Sequence, residues 1–439
     1  MRIQTNQTTL SLSDISAALT AHDADARHKI KLKEYFAGHH NDILHKRARE
    51  NTDVNNRLVS NFCSYITSMS TGFFLGIPAA YKVISKDEHE LEPLLEIFKY
   101  NDEHSHNLEL AEEASITGEA FEFLYIDADA KIRFATVPSE EVIVICDATL
   151  EANVLFAIRR YRVYSLNQIN YDEFVDVYDA HEIQHYTYNG GRLEHIGSEP
   201  HYFGAVPVVP YYNNRQQRGD FEDVITLVDA YNLAQSLTMD DLADFTDAFL
   251  ILKGVGGTTP EDARSLRKTK TMVFEEGGGA EWLIKNLNDT YVENIKTRLQ
   301  RDIHKFACVP DLTDENFAGN ASGVAISYKL IGLEQIRSRK EREFKKALQR
   351  RIELIAGILK LKNQVDIDFR DILIQFTPNL PQNTVEQAQI VTTLDGMVSR
   401  KTLLSLLPFI EDPKEEMDEM SAEEGGQPSD YQMVGSDEQ

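Results

Sequence analysis

The chain has 439 residues, more than a single hydrophobic core organises, since cores stop growing near roughly 250–300 residues, so two or more packed units are expected. Hydrophobic residues make up 42% and charged residues 26%, the balance of a soluble body rather than a disordered or membrane-embedded one. Forty-five bases against 71 acids leave a net charge of −26, which argues against a surface built to coat nucleic acid, because phosphate binding needs clustered Lys and Arg. Cys63, Cys146 and Cys308 are odd in number and far apart. That pattern predicts neither a disulfide framework nor a cysteine metal site, and it fits a reducing compartment. No apolar run approaches the ~18 residues that span a bilayer, and MRIQTNQTTL lacks the regions of a signal peptide, so a cytosol-like site of synthesis is expected.

Residues 1–45 read as a loosely held leader, polar and weakly patterned to about Ala26 and then, from His28, with a helix-like alternation, and with five histidines between His22 and His45. These could ligate a metal, but without acidic or cysteine partners at regular spacing they read as a solvated, basic helix. Val54, Leu58, Phe62, Tyr65, Ile66 and Met69 recur at helical spacing before Gly72, Gly76 and Pro78, and a further helix is predicted from about Leu91 to Gly118. Between Glu119 and Asn213 short β-branched and aromatic runs, broken by Asp, Asn and Gly, predict one antiparallel β-rich domain, with YNGG as a hairpin turn. A long helix from Asp220 to about Phe249 follows. Then come LILKGVGGTTP, a short helix near Pro260, and TMVFEEGGGAEWLIK, read as a β-hairpin with a glycine-rich turn. A second long helix spans about Asp289 to Ala307, the loop DLTDENFAGNASG comes next, and a very long helix runs from about Val324 to Lys362. Glu334 to Glu353 holds eight bases against four acids, so charge is segregated along the chain. The strand in ILIQFTPNLPQN leads to helices after Thr384. The tail from Glu411, with eleven acids and one base, is expected to be disordered.

Catalytic motifs are sparse. HEIQH, His181 to His185, matches the zincin pattern, but it lies in an alternating strand, where two residues four apart are separated by roughly 13 Å and cannot share one zinc. Neither KGVGG nor EEGGGAE has Walker spacing, and no GxSxG or catalytic-cysteine context appears. Asp240, Asp244 and Asp247 form a carboxylate stripe on the first long helix. It reads as a solvated face, as part of a two-metal nuclease, or as an acidic wall that repels polyanionic DNA. Arg337, Arg339, Lys340, Arg342, Lys345 and Lys346 have the matching ambiguity: they touch phosphates or pair with acids on a neighbouring chain.

Three stretches carry a family resemblance: DVNNRLVSNFCSYITSMSTGFFLGIPAAY, VPDLTDENFAGNASGVAISYKLIGLE and VSRKTLLSLLPFIEDPKEEMDEM. With the order of elements, they resemble the portal proteins of tailed bacteriophages, of the Gram-positive siphophage type, from about Lys29 to Met420. The resemblance implies an α+β portal fold with a β-rich wing, a helical stem, a small α+β clip, a long tunnel and wing helix, and a helical crown. Its segments would be the leader at 1–45, wing at 46–219, stem helices at 220–249 and 289–308, clip at 250–288, tunnel loop at 309–323, long helix with return strand at 324–378, crown at 379–411, and acidic tail at 412–439.

By that resemblance the chain is not an enzyme and needs no cofactor. It forms a homo-oligomeric ring, usually of twelve, at a capsid vertex, a channel for packaging and ejecting double-stranded DNA. Its implied partners are the terminase large subunit, a head completion or adaptor protein, and the major capsid and scaffolding proteins. It would reside in the virion and, during assembly, in the host cytoplasm, without a membrane. The tunnel-loop residues would be Asp311, Asp314, Glu315, Asn316, Gly319, Asn320, Ser322 and Gly323, and the clip turn Gly277, Gly278 and Gly279. Glycines and small side chains suit a narrow constriction, although Asn320 or Ser322 also serves as an ordinary helix cap. A metal-dependent DNA-processing enzyme and a minor capsid or scaffold protein without a channel are the alternatives.

Overall fold

The computed structural model describes residues 1–48, 54–84, 91–167, 169–245, 249–253, 279–283, 289–312, 328–362, 367–380 and 391–404, together with 407, 410, 416–417 and 419–421. Two compact units separate, Met1–Asn379 and Leu380–Gln439.

Strands β1 (Arg2–Thr5), β2 (Ala80–Val83), β3 (Glu119–Ile126), β4 (Ile132–Val137) and β5 (Val142–Asp147) come first in the larger unit. β5 reads VIVICD without alternation because both its faces are buried. Ile143 and Ile145 pack with Phe156, Ile158 and Val175 against Ile15, Ala18 and Leu19 of helix α1 (Leu12–Phe36). Val142, Val144 and Cys146 face the other way, onto Phe121, Phe123, Val137, Val206 and Val208. Strands β6 (Val154–Tyr164), β7 (Tyr171–Tyr178), β8 (Glu182–Asn189) and β9 (Arg192–Pro200) extend the sheet in the order β1-β5-β6-β7-β8-β9. The turn from β8 to β9 has φ +56° at Gly190 and +89° at Gly191, as a hairpin with two left-handed central residues requires. A separate sheet, ordered β10-β3-β4 with β10 at Val208–Tyr212, covers the opposite face of β5.

One expectation changes here. Residues 1–45 are not a loosely held leader: β1 pairs parallel with β5, and Ser11 and Asp14 form a reciprocal capping box that starts α1. The burial was hidden in the sequence because α1 buries His22 and Lys29 beside its few apolar residues. Within Glu119–Asn213 every strand pairing is antiparallel, as expected, and the strands divide between two sheets; the parallel pairing is made by β1, from outside that region, with β5.

Helix α2 (Asn41–Leu44) is short. Helix α3 (Phe62–Leu75) begins later than its apolar periodicity predicts, with Asn61 accepting from the Ser64 N–H at 3.2 Å. The helix predicted from Leu91 to Gly118 is two, α4 (Glu92–Tyr100) and α5 (Glu103–Thr117), broken where Asp102 takes φ +49°. Asn101 holds the break: its amide donates to Ile97 O at 2.8 Å and Ile132 O at 3.0 Å.

Helices α6 (Ile225–Phe245) and α7 (Asp289–Phe306) pack together. Between them β11 (Phe249–Lys253) pairs antiparallel with β12 (Gly279–Leu283), with Gly279 opposite Lys253. The GAEWL strand therefore pairs with FLILK; TMVF, the helix near Pro260, Gly277 and Gly278 lie outside the described residues.

Helix α8 (Ile331–Leu361) joins two cores. Near its start Leu333 packs with Ile66, Phe221, Val228 and Ile303. Phe344, Leu348, Ile352 and Ile355 pack with Phe74, Leu94, Leu110 and Tyr211. After it, β13 (Ile372–Gln375) pairs with β2, as its alternating ILIQ pattern predicts. In the smaller unit α9 (Arg400–Leu404) is headed by Ser399, whose hydroxyl accepts from the Thr402 N–H at 3.3 Å. The segment 381–390 and the tail from 422 lie outside the described residues.

Candidate functional site

The residues singled out in the sequence fall on α6, on α8 and on the segment after α7. On α6, Asp240, the first residue of the expected carboxylate stripe, does not stand on an open face. Asp240 is 1% exposed. Its carboxylate receives Lys46 Nζ at 2.5 Å and the Asn56 backbone N–H at 2.6 Å. Burial alone would raise its pKa, but Lys46 and Asn56 outweigh that and hold it below the usual carboxylate range. Ser236 and Asn232, one and two turns earlier, accept from the backbone N–H groups of Leu58 at 2.9 Å and Ser60 at 2.8 Å.

These three contacts form a ladder. Four helical residues rise about 6.0 Å, and two extended residues about 6.6 Å, so every fourth residue of α6 meets every second N–H of the segment 56–60. Segment 54–60 is not helical: the backbone N–H groups of Asn56, Leu58 and Ser60 are bound to α6 instead. Asp240 thus does not line an open wall or offer a metal ligand. Asp247 lies outside the described residues, and Asp244 is placed only as a position on α6.

On α8 the basic residues divide. Lys340 is 3% exposed and points inward, its ammonium 2.7 Å from Asp220 and 2.5 Å from the Asn213 carbonyl, with Ser115 as a third partner. Burial pushes its pKa down although Asp220 opposes this. It faces neither DNA nor a neighbouring chain. Arg337 bonds Glu334 at 2.6 Å and Glu341 at 2.5 Å on its own helix, and Lys346 pairs with Glu343 at 2.9 Å. Arg339 and Arg342 are exposed, and Lys345 is half-buried.

Sequence reasoning missed Arg351, the most buried cation among the described residues, with none of its side chain exposed. Its guanidinium meets Glu122 at 3.0 and 2.7 Å and Glu103 at 3.2 Å, and His106 and Tyr211 complete the coordination of Glu122 at 2.8 and 3.0 Å. Burial would raise the Glu122 carboxyl, but Arg351 and then His106 hold it down at about 2. Lys29 is a further missed cation, 2.6 Å from Glu119 and 2.9 Å from Asp25. A charged residue recurring in phase with the apolar positions of a helix was the available signal, since Arg351 follows Phe344 and Leu348 on one face.

Of the predicted loop residues the described set contains Asp311 alone, at the foot of the segment; Asp314, Glu315, Asn316, Gly319, Asn320, Ser322 and Gly323 lie outside it. Asp311 accepts from Gln300 at 2.8 Å and is 3.8 Å from His304. Tyr65 donates to Pro310 O at 2.8 Å. A shallow pocket of about 270 Å³, lined by Phe62, Tyr65, His304, Asp311 and Leu312 among others, sits at this foot. The loop therefore leaves from a point fixed to both α3 and α7.

HEIQH does not lie in one uninterrupted strand as predicted: the chain turns between β7 and β8, His181 stands in that turn with its N–H bonded to Asp179, and Glu182 to His185 open β8, where His185 is bonded to Asp176 at 2.7 Å across the β7–β8 ladder. Among the described residues no helix is long and apolar enough to cross a membrane.

The family described as phage portal protein, SPP1 Gp6-like, matches residues 16–428. The portal protein of Bacillus phage SPP1 is 24% identical over 397 residues, covering 86% of this chain and 78% of the relative. The portal protein of Clostridium phage phiCD119 is 25% identical over 439 residues, covering 92% of this chain and 94% of the relative.

Proposed function

The chain belongs to the SPP1 Gp6-like family of phage portal proteins, and from that premise we propose that it forms a closed ring at one capsid vertex, through which double-stranded DNA is packaged and later ejected. The family is structural, and its members are virion components. The observation that carries this reading is three parts of one chain of this family: α6 packed on α7, the anchored foot at Pro310 and Asp311, and α8 running through both cores.

In this reading 220–249 and 289–308 are the stem, 250–288 the clip that meets the terminase large subunit and later the head completion protein, and 309–323 the tunnel loop. The β sheets form the wing towards capsid and scaffolding proteins, and residues after 379 the crown. DNA must slide in both directions, so a wall of free cations would add salt-sensitive friction at every step. Lys340 and Arg351 are removed from phosphate reach by inward pairing. An acidic wall, if it exists, is made by positions other than Asp240. The nuclease alternative loses its central ligand for the same reason, because Lys46 occupies that carboxylate.

Capsids assembled with Gly323→Trp or Asn320→Trp test the constriction. Ring formation is expected to persist while nuclease-protected DNA per capsid falls. Normal filling moves the constriction to another segment.

A further inference from the structure

Two charged faces carry residues that have no ion-pair partner among the described residues. On α8, Gln335, Arg339, Arg342 and Lys346 make the exposed stripe, at spacings of four, three and four residues. Among the described residues Arg339 and Arg342 have no ion-pair partner, nor has Lys345 at the edge of the stripe. On α5, Asp102, Ser105, Glu109 and Glu112 make an exposed stripe of opposite sign. Glu109 and Glu112 likewise have no cation beside them, whereas the adjacent Glu113 is bonded to Lys33 at 2.8 Å. Partial burial and the neighbouring Glu113 and Glu109 carboxylates raise the pKa of Glu112, so the acidic face is self-repelling as it stands.

The two stripes point away from each other. The helices are linked through their buried sides, Lys340 to Ser115 and Arg351 to Glu103. Lys340 and Arg351 lie on the arc of α8 opposite Arg339 and Arg342, and Glu103 and Ser115 are buried on α5. One layer of the molecule thus carries cations on one outward face and carboxylates on the other. Two different, complementary faces are what a head-to-tail contact needs, and such contacts close into rings.

We infer that the Arg339–Arg342 face of α8 docks against the Glu109–Glu112 face of α5 on the next copy of this chain. The inference rests on the ring reading and deepens it by naming the two surfaces that meet. The same cations could serve DNA phosphates, but unpaired acids on the opposite face of the same layer favour a second copy. Single exposed pairs contribute little. Repeated at every junction, they set the register and the choice of partner.

Charge reversal tests this in the full chain, with assembly followed by sedimentation velocity as a function of protein concentration. R339E/R342E alone and E109K/E112K alone are each expected to raise the assembly midpoint at least about tenfold, by placing like charges across the junction. Mixed one to one, the two defective chains are expected to co-assemble within about threefold of wild type. In the mixture reversed cations meet reversed acids at one junction and native faces meet at the next. A folding defect cannot produce that rescue. Unchanged assembly of either variant, or no rescue on mixing, overturns the contact while leaving the ring reading intact. Normal rings of R339E/R342E that bind double-stranded DNA more weakly assign the stripe to phosphate instead. A wild-type chain that never assembles contradicts the ring and the contact together.

Discussion

Arg351 and Glu122, 229 positions apart, meet inside the larger unit with both side chains fully buried, the guanidinium 3.0 and 2.7 Å from the two carboxylate oxygens. The pair ties α8 to β3. Removing one partner leaves an uncompensated buried charge, so Arg351→Met is expected to lower unfolding free energy by about 3–5 kcal/mol. Adding Glu122→Gln to that variant should return part of the loss. Urea denaturation checks both. A loss below about 1 kcal/mol for the single variant contradicts the assignment.

The ladder on α6 predicts graded losses. Asp240→Ala strands Lys46 and two donors of Asn56 and is expected to cost about 3 kcal/mol or more. Ser236→Ala leaves one backbone N–H unsatisfied and should cost about 1–3 kcal/mol. Lys46→Met should be less harmful in the Asp240→Ala background than alone, a non-additivity that a double-mutant cycle measures.

Acid should unfold the chain in two stages. His22 is buried and donates to the Glu140 carbonyl at 2.8 Å, and burial lowers its pKa from 6.5 to about 4. Its neutral form is the folded one, so its contribution is complete above about 6.5 and is lost between about 6.5 and 4 as pH falls. His40 and His201 are shifted the same way, also by burial. Glu122 is held at about 2, against an ordinary 4.5, so its contribution is present above 4.5 and is lost from there towards 2. Urea midpoints measured from pH 8 to pH 3 should decline in the upper window, and His22→Gln should flatten that decline. An unchanged upper slope in His22→Gln contradicts its role.

Gly118 has φ +89°, and a Cβ there would lie 2.1 Å from Gln217 O. Gly219 is equally close, 2.3 Å from Ile116 O. The two segments touch backbone to backbone, beside the bonds Asp220 N–H to Ser115 O at 2.8 Å and Asn213 N–H to Gly118 O at 3.0 Å. Gly118→Ala is therefore expected to cost at least about 2 kcal/mol. Gly197→Ala, with nothing within 4 Å, should stay within about 0.5 kcal/mol. Equal melting temperatures for the two variants would contradict the close approach.

Elements whose burial is apolar and periodic were legible in the sequence. α7 and α8 were anticipated because their apolar residues recur at helical spacing, the strands β3 to β10 because β-branched and aromatic runs are bounded by turn residues, with β7 and β8 read as one, and the Gly190–Gly191 turn has a residue requirement of its own. What failed to show was polar burial. α1 hides His22 and Lys29, α6 binds a neighbouring segment through Asn232, Ser236 and Asp240, and α8 turns Lys340 and Arg351 inward. In each case a partner more than 80 positions away makes the burial tolerable. Composition and spacing do not encode such a partner. The −26 charge was informative in a similar, partial way: it argues against a surface that grips DNA, and two of the eight cations in the basic stretch, Lys340 and Arg351, are paired inward.

The central claim is that this chain closes into a ring around an open axial channel. Electron microscopy of the purified full-length protein, imaged over a range of salt and protein concentrations, tests it most directly. The account predicts closed rings with one rotational symmetry and a central hole wide enough for a DNA duplex. Monomers under every condition, or closed assemblies without a hole, would contradict it.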